Sequence, residues 1–364
     1  MALLLMTGFP GFLGSALLPR LLARRSRTRA VCLVQPQHRE AAEERVRELE
    51  GTDPHLAGRV DLVLGDITVP GLGVAPDVGE LLDKVTEVWH LAAVYDPTVS
   101  SEVAHRVNVE GTARVLEFCQ ARTRLQRLHY ASTCYVSGHY DGVFTEDALE
   151  EGQEFRNHYV ATKYEAEVLV RKAMADGLPA TIYRPGMVVG DSRTGETQKY
   201  DGPYFVATLL RRQPLPLVVV PSIGQVDEVT VGVVPRDFVI EAIDELSVLD
   251  RSVGRTYALT DPMPPTIREL VETFARRLGK RVVWVPMPLR LTRLVVDSVP
   301  GLERLIGLPA EVLDYYDSPT TYSTTNTVTD LAGTGLSCPR FEEYADTLID
   351  FMTAHPEIDA KAMV

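Results

Sequence analysis

The stretch that decides the fold is Thr7-Gly8-Phe9-Pro10-Gly11-Phe12-Leu13-Gly14. It lies between an apolar run, Leu3 to Met6, and a helix-like run, Ser15 to Leu22. A strand, a glycine turn and a helix in this order predict a cradle whose free N–H groups meet a pyrophosphate at the helix N-terminus. The spacing G-x-x-G-x-x-G is one position away from the usual dinucleotide fingerprint, so the stretch needs a second motif to support it.

That second motif is Tyr159-Val160-Ala161-Thr162-Lys163. On a helix Tyr159 and Lys163 share one face about one turn apart, which places an ammonium near a phenol. A free tyrosine titrates at about 10, and a nearby cation lowers the pKa of the phenol, so that Tyr159 becomes a usable general acid for a carbonyl that receives a hydride. The pair is common by chance, but here a strand ending in Ser132-Thr133 precedes it and the glycine turn lies upstream.

Composition limits the class of protein. The 364 residues are 45% hydrophobic with a net charge of −13, which indicates a globular chain and argues against nucleic acid as a partner. Cys32, Cys119, Cys134 and Cys338 are widely spaced, which fits neither a disulfide framework nor a zinc site, and no metal site is predicted. The N-terminus lacks a basic flank, and no run approaches the about 18 apolar residues of a membrane span. We therefore expect a soluble cytoplasmic protein, a monomer or a homodimer.

Apolar runs alternate with helix-like segments through the first half of the chain. The alternation predicts an α/β fold with a parallel, doubly wound sheet of the Rossmann type. We expect strands at Leu3–Met6, Ala30–Val34, Val60–Leu64, Val88–Leu91, Leu128–Ala131 and Ala180–Tyr183. We expect helices at Phe12–Arg25, with a kink at Pro19, at Glu40–Glu50, from Asn108 and around Tyr159.

The end of the second strand bears on cofactor choice, because an acidic residue there would bind the ribose 2′-hydroxyl of NAD. The chain reads Gln35-Pro36-Gln37-His38-Arg39, with no acid before Glu40. A 2′-phosphate is tolerated and Arg39 can pair with it, so the sequence favours NADP, with NAD as the second option. Alternatively, Arg39 only opens the charged helix that follows.

With both motifs in view, the chain resembles the extended short-chain dehydrogenase/reductase family. Aligned on Gly138, Thr133 falls at the family's catalytic hydroxyl, with Ser132 as the competing residue. The resemblance implies that Lys163 holds the nicotinamide ribose and that Asn108 supports the active-site backbone, although a plain helix N-cap is the simpler reading of Asn108. The remaining cofactor candidates are residues 8–14, Gln35, Arg39, Asp66 and Ile67 beside the adenine, Leu91, Ala92, Ala93, Pro185, Gly186, Met187 and Val188. Candidate substrate contacts, by position, are Tyr95, Asp96, Thr133, Tyr135, His158, Met187 and Tyr204.

A finer resemblance points to the thioester-reductase and fatty-acyl reductase branch, whose members reduce acyl thioesters with NADPH to an aldehyde or an alcohol. It rests on Cys32-Leu33-Val34, Ala41, Glu44-Arg45, Gly65-Asp66-Ile67, Pro70, Leu72-Gly73 and His90-Leu91-Ala92-Ala93. Two positions depart from the branch: Gln35 stands where an arginine is common, and Phe9-Pro10 replaces a small pair. With no carrier or adenylation domain attached, a thioester is expected to arrive as a separate molecule, free or bound to a carrier.

The family pattern also implies two domains: residues 1–190 bind the dinucleotide, with a returning segment near 233–260, and residues 191–232 and 261–364 bind substrate. Leu289 to Ile306 is either a lid or acyl-channel helix pair or an ordinary core helix. The sequence favours an NADPH-dependent reductase of a carbonyl substrate, either an acyl thioester or an aldehyde or ketone. Two other functions compete with it, an NAD-dependent sugar-nucleotide epimerase or dehydratase and a non-catalytic NADP-binding protein. The missing acid at Gln35 counts against the first, and the intact Thr133, Tyr159 and Lys163 count against the second.

Overall fold

The computed structural model describes residues 2–95, 99–155, 157–222, 225–286 and 320–358. Its strands are β1 (Ala2–Thr7), β2 (Thr28–Val34), β3 (Val60–Leu64), β4 (Val85–His90), β5 (Arg127–Ala131), β6 (Gly142–Phe144), β7 (Ala180–Pro185), β8 (Met187–Val189), β9 (Leu217–Ser222), β10 (Val233–Pro235), β11 (Thr256–Leu259), β12 (Arg281–Pro286) and β13 (Thr320–Tyr322). Its α-helices are α1 (Phe12–Arg24), α2 (Arg39–Thr52), α3 (Gly79–Leu82), α4 (Ser101–His105), α5 (Gly111–Gln120), α6 (His158–Ala175), α7 (Pro203–Arg212), α8 (Arg236–Ser247), α9 (Ile267–Arg277), α10 (Thr325–Leu331) and α11 (Phe341–Ala354).

The main sheet has seven strands in the order β11-β7-β5-β4-β1-β2-β3. Every neighbouring pair runs parallel, with Leu5 opposite Val31 on one side and Val88 on the other. The order reverses at β1 and β4, and ligands bind doubly wound sheets at the carboxyl ends of the strands beside such a switch point. The predicted α/β fold with a doubly wound parallel sheet is confirmed.

Both faces of this sheet are covered, which explains why its strands read as continuous apolar runs. Leu4 and Met6 pack with α1 and α8 on one face, while Leu3 and Leu5 pack with α5 and α6 on the other. Helix α1 runs from Phe12 through Pro19 to Arg24 as one element.

A second apolar core lies beyond the sheet and joins α7, α9 and α11 to the parallel pair of β9 and β12. Two further short parallel pairs, β8 with β10 and β6 with β13, connect this part to the loops that follow β7 and β5.

The predicted division into a dinucleotide domain and a substrate domain stays a prediction. The segment Leu289 to Ile306 lies outside the described residues. Within the described residues, no helix combines the length and apolar character that crossing a membrane requires.

Candidate active site

The glycine turn between β1 and α1 is closed so tightly that side chains are excluded. Gly8 has φ +87°, and a Cβ on it would lie 2.7 Å from the backbone N of Ala92 and from the carbonyl carbon of Leu91. A Cβ on Gly11 or Gly14 would lie 2.8 or 2.6 Å from the Gly8 carbonyl oxygen. The turn therefore presents bare backbone beside the carboxyl end of β4. This is the cradle that a dinucleotide pyrophosphate requires, so these residues fit the predicted cofactor.

The adenosine end of the predicted cofactor site is more open. The Gln35 side-chain amide donates a 3.0 Å hydrogen bond to Asp66 Oδ2, and the backbone N–H of Thr68 donates to Asp66 Oδ1 at 2.8 Å. The Arg39 side chain is 61% exposed, and its Nε donates to Glu43 Oε1 at 2.7 Å. The Arg39 guanidinium is thus held by its own helix. Ile67 is buried against Gly111 of α5.

Helix α6 carries the Tyr159–Lys163 pair. Its N-cap, Asn157, accepts a 2.9 Å hydrogen bond from the backbone N–H of Val160. Lys163 is buried, and its ammonium donates to the carbonyl oxygen of Ala131 at 2.7 Å and to the Tyr130 hydroxyl at 3.0 Å. These bonds fix Lys163 to the carboxyl end of β5, while Tyr159 is half-buried.

The charge of Lys163 depends on its surroundings. Burial lowers the pKa of the Lys163 ammonium to about 7, and the Glu167 carboxylate one turn further along α6 opposes this shift. The pKa of the Lys163 ammonium therefore lies well below that of an exposed lysine, and a new negative charge or hydrogen-bond acceptor placed beside it would raise that pKa.

Asn108 joins the loop after β4 to α6. It lies in a π-helical turn, Arg106–Glu110, between α4 and α5, and it is buried. Its side-chain oxygen accepts from the Val94 N–H at 2.9 Å, and its amide donates to the Val94 carbonyl at 2.9 Å and to Thr162 Oγ1 at 3.0 Å. Asn108 is therefore no N-cap: it fixes the backbone beside the glycine turn and the helix that carries Tyr159.

Ser132 and Thr133, the two neighbouring hydroxyls that follow β5, have different surroundings. Ser132 Oγ donates a 2.5 Å hydrogen bond to Glu167, whose carboxylate is also paired with Arg184 at 2.6 Å in the interior. Thr133 Oγ1 makes longer contacts, donating to the Pro185 carbonyl at 3.4 Å and accepting from the Tyr135 N–H at 3.3 Å. Ser132 is thus committed to a buried charge network, and Thr133 is the hydroxyl more easily redirected to a ligand.

His90 was not predicted to have a role of its own, although it opens the segment His90-Leu91-Ala92-Ala93. The Thr112 hydroxyl donates to the Asn108 carbonyl at 2.6 Å, so it accepts from His90 Nε2 at 3.0 Å. The Thr7 hydroxyl, which accepts from the Ala92 N–H at 3.2 Å, then donates to His90 Nδ1 at 2.8 Å. Burial, with Lys163 nearby, lowers the pKa of His90 to about 3. A neutral imidazole therefore connects the glycine turn to Asn108.

The predicted substrate residues fall into different environments. Tyr95 is exposed, with the Lys199 ammonium 3.9 Å from its ring centroid, and His158 is exposed at the start of α6. Met187 is half-buried, and its sulfur lies 2.8 Å from where a Cβ on Gly202 would stand. Tyr204 is buried in the second core, where its hydroxyl accepts from the Gly190 N–H at 3.1 Å. Asp96 lies outside the described residues.

Alternative chemistries receive less support. Cys134 is buried, its thiol donates to the Arg184 carbonyl at 3.0 Å, and burial raises the pKa of that thiol, so it is no activated nucleophile. Among the described residues, no group of three or more His, Cys, Asp or Glu side chains could hold a metal ion.

Three comparisons place the chain among known proteins. Residues 6–243 match the sequence profile of the family described as Male sterility protein. The fold superposes on the terminal R domain from the myxalamid PKS-NRPS biosynthetic pathway with a TM-score of 0.82 and 28% identity, covering 100% of this chain and 93% of that one.

Among curated proteins, the chain is 28% identical over 361 residues to the non-canonical nonribosomal peptide synthetase cpsA of Aspergillus campestris, which covers 90% of this chain and 33% of that protein. It is 25% identical over 325 residues to the aldehyde reductase lnbA of Aspergillus flavus, covering 84% of this chain and 31% of that protein. The chain thus spans about a third of the length of these relatives. It belongs to the Male sterility protein family and is an oxidoreductase of the extended short-chain dehydrogenase/reductase type.

Proposed function

We propose that this chain is an NADPH-dependent reductase of acyl thioesters, with Tyr159 as the general acid. The observation that carries the proposal is the fixed placement of Lys163 against Ala131 at the carboxyl end of β5, the strand from which Thr133 follows. Because Tyr159 lies one helical turn before Lys163 and Thr133 follows two residues after Ala131, this placement supports a site in which a phenol, an ammonium and a hydroxyl act together near the glycine turn. The full-length likeness to a terminal R domain supports the thioester as substrate.

The cofactor would lie across the switch point. Residues 8–14 would hold the pyrophosphate through backbone N–H groups, and Asp66 and Ile67 would flank the adenine. Gln35 and Arg39 would face the 2′-phosphate, Leu91 to Ala93 would form the floor, and Pro185 to Val188 would border the nicotinamide. When bound, NADPH supplies a hydride to the substrate carbonyl carbon.

The residues of this chain would manage the oxygen and the proton. Thr133 and Tyr159 would donate hydrogen bonds to the carbonyl oxygen and stabilise the negative charge that develops there. Tyr159 would then transfer its proton to that oxygen, which gives a neutral hemithioacetal. Lys163 would hold the ribose hydroxyls, and its positive charge would stabilise the phenolate that Tyr159 leaves. Asn108 would keep α6 and the segment after β4 in register.

The products follow from the bonds that change. The hemithioacetal hydroxyl loses its proton as the C–S bond breaks, the thiolate sulfur takes up a proton, and an aldehyde and a free thiol leave. A second NADPH would be needed to reduce that aldehyde to an alcohol. The thioester would be carried by coenzyme A or by the phosphopantetheine of a carrier, and residues 191–232 with 261–364 would form its domain.

The test is to incubate the protein with NADPH and acyl-coenzyme A esters and to follow cofactor oxidation together with thiol release. We expect one thiol for each thioester reduced. The aldehyde reductase lnbA among the relatives makes simple aldehyde reduction the second candidate. NADPH oxidation on free aldehydes, with no thiol released from any thioester, would establish that second function instead.

A further inference from the structure

Tyr322 reaches the candidate active site from a distant part of the chain. It ends β13, which pairs in parallel with β6 so that Tyr322 stands opposite Phe144. The Thr320 hydroxyl donates to the Tyr140 carbonyl at 2.6 Å, and the Ser323 N–H donates to the Phe144 carbonyl at 3.1 Å. The backbone around Tyr322 is therefore held on both sides, which gives its side chain a defined place.

On one side, Tyr322 contacts the segment that follows the catalytic hydroxyl. Its own hydroxyl lies 3.2 Å from Ser137 Oγ, and its ring meets the Tyr135 ring edge-on, with centroids 6.3 Å apart and planes at 84°. Tyr135 in turn donates its backbone N–H to Thr133 Oγ1 at 3.3 Å. Tyr322 is therefore linked through the Tyr135 ring to the segment that carries Thr133.

On its other side, Tyr322 lies against the loop that follows β7. A Cβ on Gly232 would stand 3.8 Å from the Tyr322 ring, an ordinary packing contact. The Gly232 carbonyl accepts from the Met187 N–H at 2.7 Å and would lie 2.3 Å from a Cβ on Gly186. The ring thus bridges the segment carrying Thr133 and the segment proposed to border the nicotinamide, and it is half-buried between them.

The rings of Tyr135 and Tyr322 form an aromatic corner beside the candidate site. The chemistry of this corner decides which part of a thioester would bind there. The carbonyl carbon of a thioester carries the acyl chain on one side and the sulfur on the other. When Thr133 and Tyr159 hold the carbonyl oxygen, these two groups therefore extend in different directions. Pantetheine is rich in amides and needs polar partners, whereas two tyrosine rings set edge-on offer aromatic surface of the kind that buries hydrocarbon. The acyl group is therefore the better match for this corner.

We propose that Tyr322 is a specificity-determining residue, whose ring packs with Tyr135 against the acyl chain of the substrate. This inference rests on the proposed thioester reductase function and deepens it. Ser137 orients the ring through its hydroxyl, so removing the Tyr322 hydroxyl should matter less than removing the ring.

The experiment compares the parent with Tyr322→Ala and Tyr322→Phe, and uses Tyr140→Ala as the matched control. Tyr140 is also half-buried beside β6, but its ring packs on Phe144, 5.3 Å between centroids. Butanoyl- and octanoyl-S-pantetheine are titrated by calorimetry into the protein loaded with NADP⁺, and kcat and KM are measured for both thioesters with NADPH.

We expect Tyr322→Ala to raise the Kd and KM for the octanoyl thioester by about tenfold or more, because the ring contact is lost. The butanoyl thioester should lose less, and kcat and NADPH affinity should stay near those of the parent. Tyr322→Phe should stay within about threefold, since the hydrogen bond it removes is a weak net contributor. Tyr140→Ala should leave the ratio of octanoyl to butanoyl affinity unchanged.

An octanoyl Kd that is the same in the parent, Tyr322→Phe and Tyr322→Ala would overturn the inference, and so would an equal shift in Tyr140→Ala. Should Tyr322→Ala fail to fold, Tyr322→Leu replaces it, with an intermediate loss expected. A different result would contradict the proposed function alone: octanoyl-S-pantetheine would bind with a Kd that depends on Tyr322, but no thiol would be released. A parent that binds neither thioester would overturn both.

Discussion

The two ends of the proposed cofactor site differ in how they are held. At the catalytic end, Lys163 and Asn108 are buried and bonded to the backbone of neighbouring elements. At the adenosine end, the Arg39 side chain is exposed and is paired with Glu43 on its own helix. A buried ammonium carries a desolvation cost, which its partners must offset, whereas an exposed guanidinium costs almost nothing to move.

The two ends should therefore tolerate change differently. Substitution of Lys163 or Asn108 breaks bonds to neighbouring backbone, so geometry and stability are coupled at these two residues. At the adenosine end, a side chain can gain or lose a phosphate contact while the backbone stays the same. Chemistry should therefore be hard to alter in this chain, and cofactor preference easy to alter. Four measurements test whether the two ends of the site differ in this way.

The largest effect is expected for the proton donor. Tyr159→Phe removes the only proton that Tyr159 can give to the carbonyl oxygen, and we expect turnover to fall by roughly 10²-fold or more. NADPH affinity and the melting temperature should stay near the parent values, because the ring is kept. Tyr164→Phe on the same helix, where the ring packs against Phe155, is the matched control and should be neutral. Near-parent turnover in Tyr159→Phe would refute the mechanism.

Ser132 and Thr133, the adjacent hydroxyls that follow β5, should affect different properties. We expect Thr133 to affect activity and Ser132 to affect stability. Thr133→Val removes a donor to the carbonyl oxygen, and we expect turnover to fall by about tenfold or more with little change in stability. Ser132→Ala leaves the buried Glu167 carboxylate one hydrogen bond short, which should lower the free energy of unfolding by about 1 to 3 kcal/mol. Urea unfolding and steady-state kinetics on both variants measure the two effects. The reverse pattern would assign the catalytic role to Ser132.

Lys163 should couple cofactor binding to pH. Its pKa of about 7 in the free protein would rise when ribose hydroxyls and phosphates arrive, because they favour the ammonium. The bound state then holds more protons than the free state, so NADPH affinity should fall by up to about tenfold per pH unit as pH rises above about 7. Calorimetry at about pH 8 in buffers of different ionisation enthalpy should detect proton uptake that Lys163→Met abolishes. Equal uptake in that variant would assign the proton elsewhere.

Local pattern was enough to predict the fold, and together with the family resemblance it proposed residues for the site. The glycine turn is required by contacts within reach of β1 and β4, and the six predicted strands all lie in the main sheet. Asn108 was singled out by the resemblance, and its bonds to Val94 and Thr162 show why an amide stands there. The roles of Thr133, Tyr159 and Lys163 in catalysis stay predictions.

What the sequence left out depends on contacts between distant residues. The seventh strand, β11, lies within the returning segment predicted near 233–260, but its bounds and its pairing with β7 at the edge of the sheet were not predicted. The bond between Ser132 and Glu167 spans 35 positions, and the contact between Ser137 and Tyr322 spans 185. No local periodicity encodes such pairs. The sequence held one signal of such pairs. Glu167 is an acid on an apolar helix face, and an acid buried on such a face needs a polar partner.

The smallest effect is expected for Arg39 at the exposed end of the site. Its pairing with the 2′-phosphate would be a solvent-exposed ionic contact that competes with Glu43, and such contacts contribute about 0.2 to 1 kcal/mol. Arg39→Ala should therefore weaken NADPH binding by only about two- to fivefold and leave NADH binding unchanged. Glu43→Gln should have the opposite effect, because it releases the guanidinium for the phosphate. Arg45→Ala, which breaks a comparable surface pair with Glu48 on the same helix, is the control. Fluorescence titration of both cofactors at low and high salt measures these shifts, and the NADPH advantage should shrink with salt. An Arg39→Ala protein with unchanged preference would show that the absence of an acid near Gln35, rather than a positive contact, sets the choice of cofactor.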